Sequence, residues 1–191
     1  MKKLLTACAI ATAFVALPAS AQWYIGGGVG SSKLSGMDFG QGGVTRSGGD
    51  SSKTSVKVYG GYQITPSWGV EAQVANLGER TVTDSFGGVA RDSTKFMVSQ
   101  LSVAGTATWP VVQNLALVGK LGATINTVSD PVYSDNFESE NNTGLLAGVG
   151  LAFSITPKLT ARLEYEDFGK LFSDHPARAS NVSLTVQYAF N

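Results

Sequence analysis

The sequence predicts an all-β fold: an eight-stranded antiparallel up-and-down β-barrel that crosses a membrane. Three observations lead there. Apolar and polar residues alternate with period two along most of residues 22–191, the signature of strands with unlike faces. Short turns and long polar connections follow each other in strict alternation, the layout of a barrel with tight periplasmic turns and longer surface loops. Aromatic residues gather at the short-turn end, as a bilayer interface selects amphipathic rings at one level. Composition agrees, with 23 Gly in 191 residues and only 15% charged side chains, against roughly 25% charged in a soluble domain. The 14 basic and 14 acidic residues balance, which removes the electrostatic case for nucleic acid. Cys8 is the only cysteine, so a disulfide framework or thiolate zinc site is excluded.

Residues 1–21 are expected to be a cleaved signal peptide. Lys2 and Lys3 form its basic start, Leu4 to Leu17 its apolar stretch, and Ala19-Ser20-Ala21 the small-x-small cleavage site. The apolar stretch is shorter than the ~20 residues a membrane-spanning helix needs. Leu5-Thr6-Ala7-Cys8 has the look of a lipoprotein box, but a cut there would leave almost no apolar stretch before it. Residues 22–191 then form the barrel domain, with 12 basic and 14 acidic groups.

Each strand follows from its alternation. In the first, Trp23, Ile25 and Val29 oppose Tyr24, Gly26, Gly28 and Gly30. In the second, Val56, Val58, Gly60, Tyr62 and Ile64 oppose Ser55, Lys57, Tyr59, Gly61 and Gln63. The third sets Val70, Ala72 and Val74 against Glu71, Gln73 and Ala75. The fourth sets Leu101, Val103, Ala107 and Trp109 against Gln100, Ser102, Thr106 and Thr108. In the fifth, Leu115, Leu117, Leu121 and Ile125 face away from Lys120, Thr124 and Asn126. The sixth places Leu145, Ala147, Val149, Leu151 and Phe153 opposite Gly144, Gly148, Gly150 and Ala152, with Leu146 out of phase. The seventh alternates Leu159, Ala161, Leu163 and Tyr165 with Thr160, Arg162, Glu164 and Glu166. The eighth alternates Val182, Leu184, Val186, Tyr188 and Phe190 with Asn181, Ser183, Thr185, Gln187 and Ala189. Most strands span 9 to 13 residues.

The connections complete the pattern. Thr65-Pro66-Ser67, Pro110 to Asn114 and Thr156-Pro157-Lys158 are short; 34–53, 78–93, 128–143 and 169–179 are long and polar. A soluble β-sandwich alternates too, but it has no reason to segregate loop lengths. Trp23, Tyr62, Trp68, Trp109, Phe153, Tyr188 and Phe190 fall near the short-turn end and are expected to form an aromatic girdle. The inward faces carry Lys57, Lys120 and Arg162 with Glu71, Glu164 and Glu166. In a narrow lumen such charges must pair or be lost, so the reading is a structural salt-bridge plug. By counting from the turns, Glu71 and Arg162 share a height, with Lys120 and Glu164 one step above.

Several segments carry a family resemblance. Tyr59-Gly60-Gly61-Tyr62-Gln63-Ile64-Thr65-Pro66, then Gly69-Val70-Glu71 and Leu77-Gly78, resemble strands two and three of the OmpA-type transmembrane barrel. Leu145-Leu146-Ala147-Gly148, Ile155-Thr156-Pro157 and Ala161-Arg162-Leu163-Glu164-Tyr165 resemble its sixth and seventh strands, and Val182-Ser183-Leu184 with Tyr188-Ala189-Phe190 its closing strand. The likeness covers most strands and none of the long loops. That family has a lumen cluster in which a Glu–Arg pair competes with a Lys and a second Glu. Glu71 and Arg162 match the first pair, whereas Thr106 and Ala152 stand at the places of the other, so the resemblance does not carry over a charge-swap gate. OmpA itself continues into a peptidoglycan-binding domain; this sequence ends at Asn191, and that anchoring is not carried over. The barrel assembly machinery reads a terminal aromatic in such proteins; Tyr188-x-Phe190 keeps the spacing, and Asn191 adds one residue.

Catalysis has little to stand on. The single His175 has Ser173, Asp174 and Ser180 near it in sequence, but a nucleophile, base and orienter must converge in space, and a loop His beside Pro176 suits a turn cap. The acids Asp130, Asp135, Glu138 and Glu140 match no calcium loop, and no cofactor or metal is expected. The sequence therefore points to a small bacterial outer-membrane barrel with a structural and surface-facing role. Its expected partners are outer-membrane lipids and lipopolysaccharide, the assembly machinery through the last strand, and surface ligands through the long loops. A narrow channel for ions or small solutes is the alternative, and a lipid-modifying hydrolase built around His175 comes third.

Overall fold

Antiparallel pairing closes this chain on itself. A computed structural model describes residues 22–35, 39–41, 44–47, 52–86, 89–129, 139–170 and 178–190. The strands are β1 (Gln22–Ser35), β2 (Phe39–Gln41), β3 (Val44–Ser47), β4 (Lys53–Gln63), β5 (Trp68–Phe86), β6 (Val89–Val112), β7 (Leu115–Ser129), β8 (Ser139–Ser154), β9 (Leu159–Lys170) and β10 (Arg178–Phe190). Eight of them, β1 and β4 to β10, pair each with the next, and β10 returns to β1 from Trp23↔Phe190 to Ser35↔Arg178. The result is a closed eight-stranded barrel without an unpaired edge in its wall, the form a bilayer demands of β-structure. The proposed leader, residues 1–21, falls outside the described residues, as does Asn191.

Two expectations change. The strands are longer than the alternation suggested, reaching 19 residues in β5 and 24 in β6. Much of the segment 78–93, read as a loop, continues the β5–β6 ladder from Glu79↔Met97 to Phe86↔Val89. Within 34–53, the short β2 and β3 pair with each other, and β3 pairs with the upper part of β5 from Val44↔Phe86 to Ser47↔Thr83. These stretches rise beyond the apolar band, where lipid no longer imposes alternation, so backbone pairing persists with no period-two signal to reveal it. The second turn-end connection is also tighter than read: β6 runs to Val112, leaving Gln113 and Asn114 as the turn.

One local design occurs twice. Ile64-Thr65-Pro66 and Ile155-Thr156-Pro157 stand 91 residues apart in sequence. In the first turn the amides of Ile64 and Thr65 both donate to the Trp68 carbonyl, at 2.9 and 3.0 Å. The Trp68 amide donates back to the Thr65 carbonyl and to Thr65 Oγ1, at 3.3 and 3.0 Å. The second repeats every bond, with Ile155, Thr156 and Leu159 in the same parts. Proline pre-sets φ for the position after Thr, and the Thr hydroxyl caps the turn locally. Further along each strand, Asn76 Oδ1 accepts from the Gly78 amide and Asp167 Oδ1 from the Gly169 amide, both at 2.8 Å. Gly78 and Gly169 have φ of 87° and 69°, a region that only glycine enters readily. Each bulge leaves the residue before its glycine, Leu77 or Phe168, fully buried. Counted around the barrel, β5 and β9 are opposite walls.

Alternation sets the faces. Leu121, Leu145, Leu163 and Leu184 are about half exposed or more on the outer face, whereas Lys57, Gln73, Glu164 and Thr185 on the inner face are buried. Of the expected girdle, Trp23, Trp68, Trp109, Phe153, Tyr188 and Phe190 are exposed near the turn end. Tyr62 is the exception. It pairs with Trp23 on the outer face, but the Trp23 ring sits 4.7 Å from its own, and only 6% of Tyr62 remains exposed.

Candidate functional site: the lumen

The lumen is filled in layers, and its middle is ionic. Lys57 Nζ lies 2.7 Å from Glu164 and 2.8 Å from Glu166. Lys120 Nζ reaches Glu71, Glu164 at 2.9 Å and Glu166 at 3.2 Å. Arg162 spans two carboxylates, Nη1 to Glu71 at 2.9 Å and Nη2 to Glu164 at 2.6 Å. All six side chains expected in the lumen are therefore brought into one cluster, three cations against three carboxylates, each at most 4% exposed. Charges buried this deeply are tolerated only when paired and hydrogen-bonded, and here the formal sum is zero. The pair Glu71–Arg162 is present, but neither is exclusive: Glu71 also takes Lys120, and Arg162 also takes Glu164. The alternative partners thus come from β7 and β9 instead of positions 106 and 152.

Two tyrosines organise the cluster. Tyr59 is 2% exposed, and all three cations stand over its ring: Arg162 at 4.9 Å, Lys120 at 5.4 Å and Lys57 at 5.6 Å from the centroid. An aromatic face attracts cations most when desolvated. Its hydroxyl meets Thr185 Oγ1 at 3.1 Å, and the Tyr24 hydroxyl donates to Glu71 Oε2 at 3.1 Å. Each ring lies across a glycine on the paired strand, Tyr59 over Gly26 and Tyr24 over Gly61, where an added Cβ would strike the ring. Alternation places both tyrosines inside; the signal for their role is the Gly-for-Tyr exchange across the β1–β4 pair.

Above and below, the layers differ. Toward the loop end, Ser55 donates to Asn181 at 2.6 Å, and Asn126 donates to the Phe168 carbonyl at 3.2 Å. Higher still, Leu34, Leu77, Val98, Leu146, Phe168 and Ala179 form an apolar layer, each 0% exposed. Leu146, out of phase in the sequence, belongs to it. Toward the turn end the lumen opens into a cavity of about 300 Å3 lined by Gln22, Tyr24, Gln63, Thr106, Arg162 and Gln187, among others. Thr106 and Ala152, flagged by the family comparison, both line this cavity.

Of the enzyme reading, Ser173, Asp174 and His175 lie outside the described residues, while Ser180 sits on β10. Asp130, Asp135 and Glu138 are outside as well, and the side chain of Glu140 is not described.

The sequence matches the outer membrane protein β-barrel domain over residues 4–190. Curated proteins give no significant match. Solved structures similar to it include neisserial surface protein A, 14% identical, covering 89% of this chain and 99% of that one with a TM-score of 0.65. OprG of Pseudomonas aeruginosa is 13% identical over 90% of this chain and 97% of its own, with a TM-score of 0.64. The attachment invasion locus protein Ail of Yersinia pestis, solved with the heparin analogue sucrose octasulfate, is 18% identical over 90% and 99%, at a TM-score of 0.58. At these identities the likeness speaks for the fold.

Proposed function

The chain belongs to the outer membrane protein β-barrel domain family, and from that premise we propose that it is a structural, surface-facing barrel and not an open pore. It resides in the outer membrane, with outer-membrane lipids around its wall. In this reading residues 1–21 direct export, and the assembly machinery reads the closing strand through Tyr188 and Phe190. The long connections at the loop end form the surface available for adhesion or immune contact.

One observation supports this above the rest: the lumen is closed twice. The ionic layer ties four strands together through Lys57, Glu71, Lys120, Arg162, Glu164 and Glu166, and the apolar layer above it excludes water. A conducting path would have to open both at once. The turn-end cavity is what favours a channel, because it brings solvent-sized space up to Arg162. The experiment is conductance of purified protein in planar bilayers. A silent bilayer containing correctly inserted protein is the expected result; steady conductance would put the channel reading first.

A further inference from the structure

We propose that the turn-end cavity of the lumen binds a small monocarboxylate that enters from the periplasm, the side the tight turns face. This is binding without passage, because Arg162 of the ionic layer forms the floor of the cavity. Pro66, at the mouth, is exposed. The cavity holds about 300 Å3, room for roughly ten waters at ~30 Å3 each or for a ligand of similar bulk. Short side chains leave that space open: Ala116 on β7, Ala152 on β8 and Ala189 on β10 all line it.

Two buried polar atoms on residues lining this space complete no hydrogen bond within the chain. They are Nε of Arg162 and Oγ1 of Thr106, on residues only 4% and 3% exposed. A buried donor left without a partner lowers stability, so each is a vacancy that a ligand would fill. The rest of Arg162 is engaged: Nη1 donates to Glu71 and Gln187, each at 2.9 Å, and Nη2 to Glu164 at 2.6 Å. Thr106 neighbours the Tyr24 hydroxyl, but that hydroxyl is given to Glu71. Gln187 accepts from Arg162 through its carbonyl oxygen, which leaves its amide N–H groups to donate.

The lining selects the kind of ligand. Among the described residues around the cavity, Arg162 carries the only charge; Glu71 and Glu164 bind its Nη atoms from within the ionic layer. Whatever enters therefore meets hydrogen-bond donors under a positive charge. A carboxylate has the matching form, one oxygen for the Nε–H and one for the Thr106 hydroxyl. Hydrogen bonds between ionised partners are roughly twice as strong as neutral ones, which favours a carboxylate over an uncharged carbonyl. A phosphate dianion fits less well, because three cations and three carboxylates already balance the layer and leave nothing for a second charge. Beyond the carboxylate, Gln22, Gln63, Thr108 and Thr160 offer amides and hydroxyls to a neutral, amide-bearing body. An acylated amino acid combines both parts.

The test records proton–nitrogen NMR spectra of the protein in neutral detergent micelles, including the Arg162 Nε–H, while N-acetylglycine or uncharged N-acetylglycinamide is added. N-acetylglycine should shift the Arg162 Nε–H and the Gln187 side-chain amide saturably, and bind about tenfold more tightly than its amide analogue. Thr106→Val should weaken that binding about tenfold, the contribution of one hydrogen bond to a charged group. Its vesicle-unfolding midpoint should stay unchanged or rise, because the hydroxyl removed has no partner. Ala152→Leu should fill the cavity and abolish the response while keeping the heat-modifiable gel mobility of a folded barrel. Equal responses to the two probes would make the cavity a water-filled vestibule and overturn the proposal, as would undiminished binding by Thr106→Val. Inorganic phosphate displacing N-acetylglycine at equal concentration would assign the cavity to anions at large and overturn the carboxylate. Failure here leaves the closed-lumen reading untouched, since that stands on conductance.

Discussion

Glu71→Gln and Arg162→Met, singly and together, test whether the ionic layer is a network or a set of pairs. Arg162 alone spans two carboxylates, at 2.9 and 2.6 Å, and Glu71 is shared by Arg162, Lys120 and the Tyr24 hydroxyl. Removing the guanidinium leaves two cations against three carboxylates in a buried layer; removing the Glu71 charge leaves the converse. Each single loss should cost about 3–5 kcal/mol, the penalty for stranding a buried charge. The double variant restores neutrality, Lys57 and Lys120 against Glu164 and Glu166, and should cost about 2–3 kcal/mol less than the sum. A second cycle reverses the sign. Lys57→Met with Arg162→Met leaves Lys120 alone among three carboxylates, so the double should cost more than the sum of its singles. Urea unfolding from lipid vesicles, followed by tryptophan fluorescence, reads all five variants. Additivity within about 0.5 kcal/mol in both cycles would refute charge balance as the organising rule of the lumen.

Leu121→Arg places a charge on an outer position that is 63% exposed and should cost about 2–4 kcal/mol near the bilayer midplane; an unchanged vesicle-unfolding midpoint would show that β7 faces the other way. Phe168→Ala empties a side chain that is 0% exposed and should cost about 3–5 kcal/mol, yet planar bilayers should stay silent because the ionic layer still closes the lumen. Conductance from that variant alone would make the apolar layer the seal. A tag at Asn141 should label on intact cells, whereas tags at Ser67 and Lys158 should label only after permeabilisation, since tight turns face the periplasm.

What could be read in advance follows the bilayer. Wherever lipid touches the wall, alternation is enforced, so strand identity, faces and the six lumen charges were legible from period two and the short turns. The apolar layer was not, because Leu77, Leu146 and Phe168 are inner-facing residues of the kind that alternation assigns outside. All three keep the inner phase of their strands, Leu77 after Ala75, Phe168 after Glu166 and Leu146 between Gly144 and Gly148, so only their apolar chemistry departs from the pattern. The extensions of β5 and β6 beyond residue 78 were missed for the opposite reason: their ladder continues above the apolar band, where backbone pairing leaves no hydropathy signature. Tyr62 looked like a girdle residue and is one by position, but its partner Trp23 occupies the interface in its stead.

The twice-used turn and bulge have a consequence for assembly. Glu71 and Arg162 occupy equivalent places in the two copies of that design, 91 residues apart, and they meet at the barrel axis. If a second molecule supplied its own first half, residues 22–112, in place of the second, Glu71 would face another Glu71 across the buried lumen. Equivalent positions on opposite walls thus carry opposite signs, and the chain is made complementary to itself and mismatched to a copy of its own first half. Two walls built on one plan invite exchange between molecules; a single pair of unlike charges at the centre sets a monomer apart from such a hybrid.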